Sequence, residues 1–298
     1  MSLGVDLVPH KTCSLNCVYC ECGRTTNLTL KREQYVPTKD VINELQEYLG
    51  SRPKLDFVTF SGSGEPTLHA GIGEISDFIK KNYPHYKLAL LTNGTLFYDS
   101  EVRTEVKDID IILPSLDAAT ELSFKKINLP HPKLKIPTVI DGLVQLRSEF
   151  SGTMWLEVFI VPGINDNDDE IFALRDAIHR IKPDQVQLNT LDRPGTAEWV
   201  EAATQDELRR IAEMLDWETE IIANFKKREE IATYSTDIEN AVLQMLRRRP
   251  CTVQDLSVSL GKHENEINKY IETLLKKGII ETKRMTRGNF FKLKTEID

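Results

Sequence analysis

"CSLNCVYC", Cys13–Cys20, is the stretch on which the reading of this chain turns. It spaces three cysteines as C-x3-C-x2-C, and Cys22 follows at once, so four of the five cysteines in 298 residues share one loop. Hydrophobic packing gives no reason for such clustering, whereas the solitary Cys251 reads as a small buried hydrophobe. An odd number of cysteines bunched at one end is not a disulfide framework. Structural zinc takes four ligands, commonly from two separated knuckles. This chain has no second cysteine pair, so Cys22 or His10 would have to complete a zinc set from a loop folded tightly on itself. Three thiolates also fit three corners of a cubane iron–sulfur cluster. The fourth corner is then open to a ligand that is not protein, and open positions are what separate catalytic metal sites from closed structural ones.

Outward from this loop, short β-branched runs alternate with amphipathic segments. Strand candidates are Gly4–Pro9, Leu55–Gly62, Lys87–Gly94, Asp108–Asp117, Met154–Gly163 and Asp184–Leu191. Most are near-continuously apolar, as strands buried on both faces are. "TKDVINELQEYLG" predicts a helix with a Thr/Asp cap and a stop at Gly50, and "DDEIFALRDAIHRI" one whose acidic start and basic end suit the helix dipole. Six β-α repeats imply an α/β fold with a parallel sheet, curled by right-handed crossovers into a full or partial TIM-like barrel. In such folds the active site gathers at the strand C-termini. The polar motifs "SGSGEP", "TNG", "PSLD", "VPGIND" and "LNTLD" all fall there.

Composition is 40% hydrophobic and 28% charged, which is ordinary for a globular chain. No apolar run is long enough for a bilayer and no secretory signal is visible, so no membrane role and a reducing cytoplasm are expected. The net charge of −8 is unevenly spread: Ser235–Asp298 carries 12 Lys and Arg against 9 Asp and Glu, or +3, which leaves −11 on the remainder. The charged stretch "KKREE" reads as a linker, giving a body over 1–225, a linker over 226–235 and a module over 236–298. The module's pattern, three helices and then two strand-like pieces, is that of a winged helix-turn-helix. Its third helix begins "HENEIN", and Glu264 and Glu266 argue against a major-groove reader. Lys276, Lys277, Lys283, Arg284 and Arg287, near the helix end and wing, suit phosphate backbone or protein docking.

With Tyr19 as the aromatic of C-x3-C-x-aromatic-C, the loop resembles the signature of the radical S-adenosylmethionine (radical SAM) superfamily. "SGSGEPTLH" is similar to that family's GGEP motif, with Ser63 in place of the first Gly. "IVPGINDND" resembles its fifth-strand element near adenine. "CVYCECGRTT" and "PSLDA" resemble an iron–sulfur oxidoreductase subgroup related to wyosine-forming and activating enzymes. The likeness spans roughly residues 4–195.

The resemblance implies two cofactors, a [4Fe-4S] cluster and SAM. Cys13, Cys17 and Cys20 would ligate iron, and the amino and carboxylate groups of SAM would chelate the open corner. One-electron reduction, from a donor such as flavodoxin or ferredoxin, would cleave SAM to methionine and a 5′-deoxyadenosyl radical that takes hydrogen from the substrate. Tyr19 would lie near the adenine. Gly64 would let backbone approach the SAM amino group, Glu65 would pair with that ammonium, and Ser63 would offer its carbonyl. Asn93, Ser115 and Asp117 are candidates for the ribose and carboxylate, and Val161 and Asn189 for the adenine. Asp117 also reads as the N-cap of a helix at "AATELSFKK". Cys22 as a fourth ligand would block chelation; a plain loop cysteine or a thiol near the radical are its other readings.

Three functions remain open at this level. The chain is a radical SAM enzyme acting on a macromolecule (protein, peptide or RNA) recruited by the module. Alternatively it acts on a small molecule, with the module as lid or dimerisation element. The third is an iron–sulfur-dependent DNA-binding regulator, against which the cofactor loops argue.

Overall fold

The computed structural model describes residues 1–223, 238–262 and 264–294, apart from the side chains of 265, 266 and 269. The expected linker at 226–235 and the side chain of Glu266 lie outside the described residues. The chain divides into two compact units.

The first unit holds Met1–Val18, Arg24–Thr190 and Glu201–Ile222. It opens with β1 (Ser2–Val5), and a two-residue parallel pair, β2 (Thr12–Cys13) and β3 (Asn27–Leu28), brackets the cysteine loop. β4 (Phe57–Phe60), β5 (Lys87–Thr92), β6 (Ile111–Pro114), β7 (Thr153–Ile160), β8 (Gln185–Thr190) and β9 (Thr219–Ile221) continue the large sheet. Its order is β1-β4-β5-β6-β7-β8-β9, parallel throughout. Neighbours in space are thus mostly neighbours in sequence, each reached through a helical crossover as parallel pairing requires. Seven strands stand where six were expected. β9 is only three residues long, too short to show a periodicity. β1 and β9 each pair on one side, so among the described residues the sheet is an open, partial barrel.

The crossovers are α1 (Thr38–Gly50), α2 (Ile72–Asn82), α3 (Ser100–Glu105), α4 (Glu121–Ile127), α5 (Ile136–Glu149), α6 (Asp168–Ile181) and α7 (Gln205–Leu215). α6 follows its sequence signals, with Asn167 capping the Glu170 N–H and His179 and Arg180 in the last turn. α1 does not: Pro37 occupies the N-cap with no side-chain cap, and Gly50 is still helical, with Ser51 at the C-cap.

The strands are buried on one face throughout and on the other only in part, where Ala89, Ile111 and Phe159 are buried but their neighbours are not. Leu88 and Leu90 of β5, Ile112 of β6, and Leu156 and Val158 of β7 are completely buried on the side that carries the helices. On the opposite face Leu91 is 44% exposed, and Leu113, Trp155 and Gln185 beside it are half-buried. Alternation along the strand separates the faces, and the register aligns Leu91 with Leu113 and Trp155 with Gln185 as one row.

The second unit holds Tyr19–Gly23, Leu191–Val200 and everything from Ala223. Its described elements are α8 (Ile238–Arg248), α9 (Val253–Leu260), α10 (Glu264–Lys276) and an antiparallel ribbon of β10 (Ile280–Met285) and β11 (Gly288–Leu293). The sequence boundary therefore differs from the compact one: two short segments of the body belong with the module. Leu246, Leu256, Ile271, Leu274 and Phe291 form its core with Cys251. Cys251 exchanges both backbone hydrogen bonds with Phe291, at 3.0 and 2.8 Å, and burial pushes its thiol up to about 11. At pH 8 only about one thiol in a thousand would then be ionised. Iodoacetamide should accordingly leave Cys251 unmodified in the native chain and label it after denaturation; rapid native labelling would contradict this core.

Candidate active site

The loop that follows β4 carries the start of the cysteine loop. The Lys11 N–H donates to the Ser63 carbonyl at 3.1 Å, and the Glu65 N–H donates to the Thr12 carbonyl at 3.0 Å. Between them sits Gly64, where a Cβ would lie 2.3 Å from the Thr12 oxygen and 2.6 Å from Val8 Cγ2. Glycine is needed here because the cysteine loop's own backbone comes this close. Likewise the Ser63 carbonyl receives Lys11, and its N–H and hydroxyl donate to Asp6 at 3.2 and 3.3 Å. Lys11 takes a left-handed φ of 59°, and its carbonyl accepts the N–H groups of Thr26 and Asn27, closing the loop at its far end.

Glu65 was expected to need a partner, and it has four inside the protein. Its Oε1 accepts from the Thr67 N–H (3.0 Å), the Thr67 hydroxyl (2.6 Å) and the Thr92 hydroxyl (2.6 Å), and its Oε2 from the Asn93 N–H (2.7 Å). Burial pushes this carboxyl above the usual range while the four donors pull it down. The buried carboxylate fastens the end of β5 to the loop after β4. Asn93, held in this way by its backbone, donates its side-chain amide to Cys13 Sγ at 3.5 Å and to the Ser14 hydroxyl at 2.9 Å. Its Oδ1 accepts from the Thr95 N–H and hydroxyl, which fixes the amide's orientation.

A second buried carboxylate does the same for the second cysteine. Asp117 Oδ1 accepts the Phe159 N–H at 3.0 Å, and Oδ2 accepts the Asn128 amide at 2.6 Å. That amide also donates to Cys17 Sγ at 3.4 Å. Asn128 further anchors the loop, its carbonyl accepting the Asn16 N–H at 2.9 Å. Asp117 is no helix cap: Thr120 caps α4. Asn128 gave no sign of itself in the sequence, being a lone Asn at the C-cap of a short helix.

The remaining expected residues divide. Ser115 and Asn189 converge, on Glu157 of β7 rather than on each other: Glu157 Oε2 accepts from Ser115 at 3.4 Å and Oε1 from Asn189 at 2.8 Å. Glu157, missed in the sequence, lies on the open face in register with Gln187. Its signal was a single acid inside an apolar strand, "WLEVF". Val161 is fully buried, and its N–H is taken by Asn165 Oδ1 at 2.7 Å. Tyr19 and Cys20 lie in the second unit, where the Cys20 carbonyl accepts the Thr196 hydroxyl at 3.0 Å.

The donor set suits an iron–sulfur cluster. None of the cysteines forms a disulfide, and the four in the loop are half-buried. Amide N–H groups aimed at sulfur favour thiolate over thiol and are among the contacts that set cluster potentials. Among the described residues no three His, Cys, Asp or Glu side chains gather closely enough to hold a single metal ion, and no helix is long and apolar enough to cross a membrane.

Two outcomes follow from this geometry. Gly64→Ala should lower the stability of the apo-protein by roughly 1–3 kcal/mol, the usual cost of overpacking, and reduce iron uptake on anaerobic reconstitution; thermal unfolding and iron analysis check both. Asn128→Ala removes a hydrogen bond of about 1 kcal/mol that strengthens as the sulfur gains charge, so the reduction potential should fall by on the order of 40 mV. An unchanged potential in a redox titration would mean that this amide does not act on the cluster.

Comparison with known proteins agrees with the geometry. The chain is 32% identical over 279 residues to a protein of Brachyspira hyodysenteriae named GTPase Obg; the match covers 93% of this chain and 41% of that one. It is 28% identical over 292 residues to a UPF0026 protein of Helicobacter pylori (strain J99), covering 97% of this chain and 92% of the relative. The fold is similar to that of a radical SAM methyltransferase from Sphaerobacter thermophilus, with a TM-score of 0.60 at 15% identity over 76% of this chain and 67% of that one. The Radical SAM superfamily pattern matches residues 7–175, which hold the cysteine loop, Glu65, Asn93, Asp117 and Asn128. The chain belongs to the Radical SAM superfamily and is an enzyme of that class, which works with S-adenosylmethionine and a [4Fe-4S] cluster.

Proposed function

We propose that the chain binds a [4Fe-4S] cluster through Cys13, Cys17 and Cys20, cleaves SAM reductively, and takes hydrogen from a substrate lying against the open face of the sheet. One observation carries the reading: Cys13 and Cys17 each accept an amide N–H from an Asn fixed by a buried carboxylate, Glu65 or Asp117. When bound, the cluster supplies the electron, received from a donor such as flavodoxin or ferredoxin, that splits SAM into methionine and a 5′-deoxyadenosyl radical.

The chain's own residues orient and shield. Leu91, Leu113 and Trp155 offer an apolar row that excludes water from a reactive site. Glu157, its carboxylate plane set by Ser115 and Asn189, accepts a hydroxyl or ammonium of SAM or substrate. Ser115 and Asn189 then act through Glu157, while Gly64 and Ser63 serve by seating the cysteine loop.

The module is read as a winged helix that docks or covers the substrate. Tyr19–Gly23 and Leu191–Val200 share its compact unit. A macromolecular substrate remains our first reading and a small molecule under a lid the second. Two of the cations expected to meet phosphate are instead paired within the module: Arg287 with Asp255 at 2.7 Å and Lys277 with Glu239 at 2.8 Å.

Anaerobically reconstituted, dithionite-reduced protein given SAM should release 5′-deoxyadenosine and methionine, and Cys17→Ala should lower the yield at least a hundredfold on the order expected for loss of an essential group. A variant yield equal to that of the wild type would remove the enzymatic reading.

A further inference from the structure

We infer that Arg193 is a positioning residue that holds the third cysteine's part of the loop, and that Arg287 of the terminal ribbon locks it in place. The inference rests on the proposed function only for the role of Cys20.

Within the second unit, residues 191–200 lie directly along Tyr19–Gly23. Gly195 is so close that a Cβ there would come 2.8 Å from the Tyr19 carbonyl oxygen, and the Thr196 hydroxyl donates to the Cys20 carbonyl at 3.0 Å. Glu21 stands between Cys20 and Cys22. Its carboxylate is 3.9 Å from Arg193 Nε, whose side chain is only 5% exposed. Arg193 Nη2 is 3.4 Å from Asp255 Oδ1, and Nε is 3.9 Å from Asp192. Arg287 closes the group from the ribbon: its Nη1 is 2.7 Å from Asp192, and its Nη2 is 2.9 and 2.7 Å from the two oxygens of Asp255.

Asp255 is itself hydrogen-bonded to its helix terminus. It belongs to the capping box of α9, where its Oδ2 accepts the Thr252 N–H at 2.9 Å. The cysteine segment is therefore tied through Glu21, Arg193 and Asp255 to a helix terminus. Three carboxylates share two guanidinium forks, and removing the Arg287 fork leaves Asp192 and Asp255 with only the longer contacts to Arg193. Cooperative loosening of the segment is the expected consequence. Arg287, a candidate in the sequence for phosphate backbone or protein docking, has its fork on Asp192 and Asp255.

The test is hydrogen–deuterium exchange on the full-length apo-protein, which needs no cluster. In Arg287→Ala, exchange in fragments covering Tyr19–Gly23 should rise roughly tenfold, the loss expected for charge-assisted bonds, while fragments covering Thr12–Val18 stay as in the wild type. Arg287→Lys, which keeps charge but not the fork, should fall between. Arg193→Gln should act more strongly; if it does not fold, Arg287→Ala alone decides. In the reconstituted enzyme the same variant should release iron to a chelator faster. Unchanged exchange at Tyr19–Gly23 in folded Arg287→Ala, or an equal rise across Met1–Val18, would overturn the inference. Failure of the wild type to cleave SAM would instead remove the proposed function and leave the exchange result standing.

Discussion

The carbonyl of Thr12 and the α-carbon of Gly64 stand too close to admit even a methyl group, and the active site depends on that approach. It lets the Glu65 N–H reach Thr12 and the Lys11 N–H reach Ser63, so that the cysteine loop is pinned to the loop after β4 at its first residues. Because Glu65 simultaneously binds the Asn93 N–H at the end of β5, the same contact sets where the Asn93 amide meets Cys13. A buried carboxylate is costly unless hydrogen-bonded. Here four donors satisfy Glu65, and the geometry they impose is what positions the sulfur.

Asp117 repeats the arrangement one step further round the sheet. It is 3% exposed, spans from the end of β7 to the C-cap of α4, and turns the Asn128 amide onto Cys17. Both sulfurs are thus addressed by neutral amides, one held directly by Asp117 and the other through its backbone by Glu65 and through its Oδ1 by Thr95. The anions themselves are kept away from the site by one intervening side chain. Such an arrangement lets protein charge fix geometry without placing a carboxylate directly beside a thiolate, where like charges would raise each other's pKa. The third cysteine belongs to the second unit.

Much of the framework was legible in the chain. Short β-branched runs marked the first six strands of the sheet, and α6 announced itself by three acids at its start and two bases at its end. What failed were inferences that needed a partner distant in sequence. Glu65 was recognised as a carboxylate requiring a partner, but nothing local says that Thr92 and Asn93 supply it. Gly64 reads as a site of close approach, and nothing local says that the Thr12 backbone is one group that comes near it. Asn128 lies 111 residues from Cys17 and follows no spacing rule that would connect them. The open face of the sheet was hidden because Leu91 and Leu113 are apolar whether they face helices or a cavity. Tyr19–Gly23 likewise looked like the end of a continuous loop, and only the packing assigns it to the same unit as the ribbon.

The central claim is that three loop thiols hold a cluster with one iron open to SAM. Mössbauer spectroscopy of protein reconstituted with iron-57 tests it directly, recorded before and after adding SAM in the absence of oxygen. A quadrupole doublet for one iron in four should shift to the parameters of a higher-coordinate site when SAM is added, with the other three unchanged. Four irons that ignore SAM, or a preparation that binds zinc in place of iron, would contradict the account.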